Sequence, residues 1–183
     1  YKLKETSKMF SFVPPVIVSS IAVTSFFSMD VILAKHYLNA FDVGIYGALS
    51  NMGKIIFYTL APISAVMFPL VSKKYSKGED TRGILFLSSL LTLLGASFAL
   101  IFYKFFPEFT INLLFGSLYL GGSPYLFYFG LIMAIFSFAS LLFNYYLSKE
   151  NTFPVAFFAL ASITQIIGII IFHNSIWDII NSS

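Results

Sequence analysis

The sequence has no cysteine and little charge, and each shortage excludes something. Without cysteine there are no disulfides and no thiolate metal sites, while the compartment stays open. Charged residues make up 10% of the 183 residues, against about 25% in an average soluble domain. So few charges do not clothe the surface of a soluble domain of this length. The net charge of +3 is too small to argue for a nucleic-acid partner.

What the sequence has is apolar residues in long blocks. A helix needs roughly 20 mostly apolar residues to cross a bilayer. Five stretches meet that length, at about 11–38, 43–71, 83–105, 124–147 and 152–172. They lack the period-2 alternation of strands and are too long to be strands. The expected fold is all-α, a polytopic transmembrane helix bundle of about five spans forming a single membrane domain over 1–183. Pro14 and Pro15 fall at the start of the first span, where proline costs a helix little. Pro62 and Pro69 fall inside the second and predict a kink or a frayed end.

Polar connectors separate the spans. Residues 72–82 form a charged hinge, and Ser148-Lys149-Glu150-Asn151 a tight turn. Between Phe106 and Ser123, Pro107 opens a segment whose Glu108, Phe109, Ile111, Leu113 and Leu114 predict a short interfacial helix. Tyr37, Tyr103, Tyr145 and Tyr146, at span ends, suit an aromatic belt. The first span is too long for the apolar core of a signal peptide, and no small-residue cleavage site follows it. The start at Tyr1 and the abrupt Asn181-Ser182-Ser183 end lead us to expect a piece of a longer protein.

Positive charge sets the expected orientation. Lys2, Lys4, Lys8, Lys73, Lys74, Lys77, Arg82 and Lys149 fall on one side of the five spans. Lys35 and Lys104 fall on the other. That bias predicts a cytoplasmic N-terminus in a multi-pass protein of the cell (inner) membrane.

The remaining cation, Lys54, lies inside the second span. A lysine within a membrane helix costs roughly 2.5–3.5 kcal/mol on insertion scales, so it is expected to face protein or water. At 100° per residue, Gly47, Ser50, Asn51, Tyr58, Ala61 and Ala65 fall within about 60° of it, a small and polar stripe on an apolar helix. Two readings follow. Lys54 is a cavity-facing cation that meets an anionic substrate, or it is structural, paired with a carboxylate or snorkelling to the outer interface. Asp30 lies near the outer end of the first span, and the next helix returns from that side. The two residues are expected at similar depth, where a pair offsets part of each burial cost. Asp30 is otherwise a proton- or sodium-coupling group, a gate, or a helix-end carboxylate open to water.

Milder polar marks occur on the other spans. They are Ser20, Thr24 and Ser28 on the first, and Ser88, Thr92, Gly95 and Ala96 on the third. The fourth has Gly130, Ala134, Ser137 and Asn144, and the fifth Gln165 and Gly168. Close helix packing accounts for most of them, with Asn144 and Gln165 also expected to line a cavity. Enzymatic signals in the sequence are weak. His36 and His173 stand apart without a ligand cluster, Glu79-Asp80 sits in a basic loop, and no glycine-rich phosphate loop occurs. No catalytic residue, metal or cofactor is expected.

Residues 30–38, Asp-Val-Ile-Leu-Ala-Lys-His-Tyr-Leu, followed by Asp42-Val43-Gly44-Ile45-Tyr46 and Gly53-Lys54-Ile55-Ile56, resemble the polysaccharide flippases of the MATE-like (MOP) exporter superfamily. Met67-Phe68-Pro69-Leu70-Val71-Ser72 and Leu113-Leu114-Phe115-Gly116 with Tyr119 extend the resemblance to residue 125; the later spans fit by hydropathy. The resemblance implies one lobe, helices seven to eleven, of a two-lobe transporter whose N-terminal lobe is a partner within the same chain. It implies a flippase that moves a lipid-linked oligosaccharide of the polyprenyl pyrophosphate type to the outer leaflet by alternating access. Lys54 matches the cavity cations of that family, with Ser50, Asn51, Tyr58 and Asn144 lining the groove. Competing readings are a MATE-type drug or cation antiporter, a membrane-embedded glycan polymerase or ligase, and a non-catalytic scaffold. An antiporter calls for a cluster of membrane carboxylates, and a polymerase for a large outer loop with catalytic side chains.

Overall fold

The computed structural model describes residues 27–151 and, beyond them, residues 17, 21, 24, 160, 163, 164, 167 and 171. The chain forms two compact units, Leu38–Glu150 and a second made of Tyr1–Tyr37 with Asn151–Ser183. The described part is all helix, turn and loop, with no strand among the described residues.

The unit Leu38–Glu150 holds α1 (Ala40–Ser76), α2 (Arg82–Phe105), the short α3 (Pro107–Leu114), a 3₁₀ turn (Ser117–Gly122) and α4 (Ser123–Leu147). The three long helices match the second, third and fourth expected spans to within about five residues at each end, the usual uncertainty of a helix boundary enlarged by polar end turns. Each is long and apolar enough to cross a membrane: 18-residue stretches within Ala40–Ser76, Arg82–Phe105 and Ser117–Leu147 have mean hydropathies of 1.9, 2.3 and 2.2. The protein is thus an all-α membrane protein. The start of the first expected span, with Ser20, and most of the fifth, with Gln165 and Gly168, lie outside the described residues, as does His173.

Local chemistry fixes the ends of α1. Asn39 caps its start, its Oδ1 accepting from the backbone N–H groups of Phe41 (3.1 Å) and Asp42 (3.0 Å). Asp42 sits in the first turn and Lys73 and Lys74 in the last, both favourable to the helix dipole. The helix runs unbroken past Pro62 and Pro69 to Ser76. The end therefore does not fray at either proline. Each proline removes one internal hydrogen bond, a loss that membrane helices tolerate when neighbouring groups re-satisfy the freed backbone.

α1 lies against both α2 and α4, most extensively against α4. Glycine sets that contact. A Cβ built on Gly53 would stand 2.9 Å from the backbone oxygen of Phe129, so the two helix backbones touch there. Towards the basic end, Met67 and Val71 of α1 pack with Leu141 and Tyr145 of α4, flanked by Ile84 and Leu85 of α2. On α2 the marked residues Ser88, Thr92 and Ala96 are buried, whereas most of its large apolar side chains, from Phe86 to Phe105, are exposed. That distribution suits a helix with one face on protein and the rest on lipid.

Two of the tyrosines expected in an aromatic belt are instead buried in the bundle, because each hydroxyl finds a protein partner. Tyr103 donates to the carbonyl of Met52 at 2.8 Å, tying α2 to α1. Tyr145 receives a hydrogen bond from Lys149 Nζ at 3.1 Å and lies 2.9 Å from Thr81 Oγ1. An ammonium only donates, so the Tyr145 hydroxyl has its own proton for Thr81. Tyr103→Phe is expected to lower unfolding stability by about 1 kcal/mol, the net worth of one buried hydrogen bond. Denaturant titration of the detergent-solubilised protein checks it, and an unchanged midpoint would mean that the bond contributes nothing.

The short α3 forms where the interfacial helix is expected. Thr110 and Ile111 are buried, while Phe109, Leu113 and Leu114 are exposed. Gly116 follows at φ 89°, a left-handed conformation that glycine adopts freely.

Candidate functional site

The polar stripe of α1 divides once the helix is packed. Ser50 is fully buried and Lys54 is 8% exposed, so the cation sits inside protein in the apolar length of α1. Its neighbour Gly53 is the point of closest approach to α4. Asn51 is exposed, and Tyr58 is 64% exposed, its ring packing edge-on against Phe57. Ala61 and Ala65 continue along the helix to a cavity. In the other unit, where residues 27–37 are helical, Asp30 is 4% exposed, so a helix-end carboxylate open to water does not describe it. Thr24 and Ser28 are exposed.

The cavity lies between α1, α2 and α4 and has a volume of about 350 Å³. Phe57, Leu60, Phe68 and Leu141 provide apolar wall; Ser64, Thr92, Ser137, Ser140 and Asn144 provide polar wall. Ala61 stands seven residues from Lys54 and so on the same face, about 10 Å further along the axis. The cavity therefore continues the face of Lys54 towards the helix ends that carry Lys73, Lys74, Lys77, Arg82 and Lys149.

Sequence pattern explains why these side chains converge. Ser137, Ser140 and Asn144 are spaced i, i+3, i+7, which puts them on one face of α4. Thr92 lies one turn beyond Ser88 and one turn before Ala96, on the buried face of α2. The hydroxyl of Thr92 donates to the Ser88 carbonyl (2.9 Å), and that of Ser137 to the Met133 carbonyl (2.6 Å). Asn144 Nδ2 donates to the Ser140 carbonyl at 2.9 Å. The Ser64 Oγ is buried and makes no hydrogen bond among the described residues.

Of the residues expected to line a groove, the structure brings Asn144 to this cavity; Lys54, Ser50, Asn51 and Tyr58 are not part of its wall. Ser64 and Ser140 were not among the expected site residues. Ser64 lies about 80° from Lys54 on α1, just outside the arc drawn around the lysine. Its signal was weak but present, as a lone serine between Pro62 and Pro69. Among the described residues no three of His, Cys, Asp and Glu come together as a metal site. Glu79 and Asp80 are exposed, and Asp80 caps the backbone of Arg82.

The fold and these polar groups define a polytopic helical membrane protein with a buried cation and a neutral polar cavity. Compared with protein-family models, curated proteins and solved structures, the chain matches none.

Proposed function

We propose that the protein is a membrane transporter that carries a lipid-linked oligosaccharide from the cytoplasmic to the outer leaflet by alternating access. The observation that carries this reading is Lys54, a lysine buried within an apolar membrane-spanning helix beside the buried Ser50. A cation kept at that depth against its insertion cost marks a path for charge. A polyprenyl pyrophosphate would supply the complementary anion, and Ser50, Asn51, Tyr58 and Asn144 the hydrogen bonds of the groove. Asp30, buried as well, would serve coupling or ion pairing. The resemblance of residues 28 to 125 to polysaccharide flippases gives the same substrate class and supplies the partner lobe that half a cavity needs. In this reading the protein works in the cell membrane with the N-terminal tail and the residues 72–82 loop in the cytoplasm, and does no covalent chemistry.

Deleting the gene separates this reading from a drug antiporter. The expected result is loss of surface glycan with drug tolerance unchanged. Lowered drug tolerance with normal surface glycan would overturn the proposal in favour of the antiporter.

A further inference from the structure

The cavity between α1, α2 and α4 has a chemistry of its own, separate from that of Lys54. Its volume of about 350 Å³ falls in the range of small-ligand pockets, roughly 300–1,000 Å³. Among the described residues, none that lines it is charged. A cation entering it would shed water without gaining a counter-charge, and an anion would meet mostly acceptor oxygens. Thr92 and Ser137 have given their hydroxyl protons to their own helices, so they offer the cavity lone pairs alone. Ser64 has given nothing, and its buried Oγ can both donate and accept. Asn144 keeps one amide proton and its carbonyl oxygen.

We propose that this cavity is a binding site for uncharged hydroxyl groups. A ligand O–H donates to Thr92 or Ser137 and accepts from Ser64 or Asn144, while Phe57 and Phe68 cover its apolar faces. Such a group satisfies the buried Ser64 hydroxyl, which the described residues leave unmatched. The chemistry is shared by two sources, water and the hydroxyls of a sugar or other polyol. The site stands on its lining and does not rest on the transport reading.

The absence of cysteine from these 183 residues makes the test direct, because Ser64→Cys introduces the one thiol among them and the unsubstituted protein sets the background. The protein is kept in its membrane and treated with hydroxyethyl methanethiosulfonate, a small uncharged reagent that itself carries a hydroxyl. The reference is Val66→Cys, an exposed position on another face of α1. A thiol in apolar surroundings stays protonated and reacts slowly. The expected result is labelling at position 64 at least tenfold faster than at 66. Equal rates would overturn the proposal. With rates normalised to a free thiol, the trimethylammonium reagent is expected to be at least tenfold slower at 64 than the uncharged one; a faster cationic reaction would also overturn it. Protection by sucrose, relative to an osmotically matched betaine control, assigns the site to polyols, and unchanged labelling assigns it to water; both support hydroxyl binding. Ser140→Cys, on the opposite wall, gives the same measurement should Ser64→Cys fail to accumulate.

Discussion

Replacing Lys54 by alanine is expected to reduce export of the surface glycan at least tenfold while the amount of protein in the membrane stays at or above the unmutated level. The two halves of this prediction have separate physical causes. Removing a lysine from the middle of a membrane helix relieves roughly 2.5–3.5 kcal/mol of insertion cost, so insertion does not suffer. Removing the cation also removes the group that would meet the substrate's pyrophosphate in a low-dielectric groove, where a charge-assisted contact is strong. A purely structural lysine gives a different pattern. If Lys54 served only to neutralise a buried carboxylate, alanine would leave that carboxylate uncompensated, at about 3–5 kcal/mol. Protein levels would then fall together with export. Export by Lys54→Ala at the unmutated level would end the substrate-binding role. Quantitative immunoblotting of membranes beside surface-glycan staining distinguishes all three outcomes.

Gly53→Leu is expected to destabilise the bundle by about 3 kcal/mol, at the upper end of overpacking costs. A Cβ at Gly53 would stand 2.9 Å from Phe129 O and 3.2 Å from Phe129 C, both backbone atoms. No rotamer change relieves a clash with backbone, so α1 and α4 must separate along their most extensive contact. The control is Gly47→Leu on the same helix, where a Cβ meets nothing within 4 Å. That variant is expected to lie within about 0.5 kcal/mol of the unmutated protein, as for a substitution away from packed features. Thermal unfolding in detergent, followed by the loss of helical circular dichroism, provides the comparison. Equal effects of the two substitutions would contradict the close approach of α1 and α4 at Gly53.

The long helices were legible in the sequence because hydropathy depends only on local composition. The expected 83–105 and 124–147 spans differ from Arg82–Phe105 and Ser123–Leu147 by a residue at one end. α1 runs further than its apolar stretch because Asn39 supplies a cap and the last polar turn stays helical through Lys73 and Lys74. Pro62 and Pro69 do not fray the end of α1, which stays helical to Ser76, since inside a membrane no water competes for the broken ladder. Tyr103 and Tyr145 were misleading for another reason. Position along a span predicts depth, but the choice between lipid and protein depends on which face the neighbours cover.

The site was legible in its residues and not in its grouping. Lys54 stands out in any hydropathy profile, and its helical face follows from geometry. Ser64, Thr92 and Ser137 come from three helices, and only packing brings them to one cavity. Each alone reads as a small residue that lets helices approach. What sets them apart is the hydrogen-bond balance, with two hydroxyls spent on their own helices and one left over.

Transfer of the substrate itself is the most direct test of the central claim. The protein, purified and reconstituted into vesicles loaded on one leaflet with a polyprenyl pyrophosphate-linked oligosaccharide, is assayed by the appearance of glycan on the opposite leaflet, read with a membrane-impermeant lectin. Transfer well above that of protein-free vesicles is expected, reduced at least tenfold by Lys54→Ala. Transfer no faster than in protein-free vesicles would contradict it.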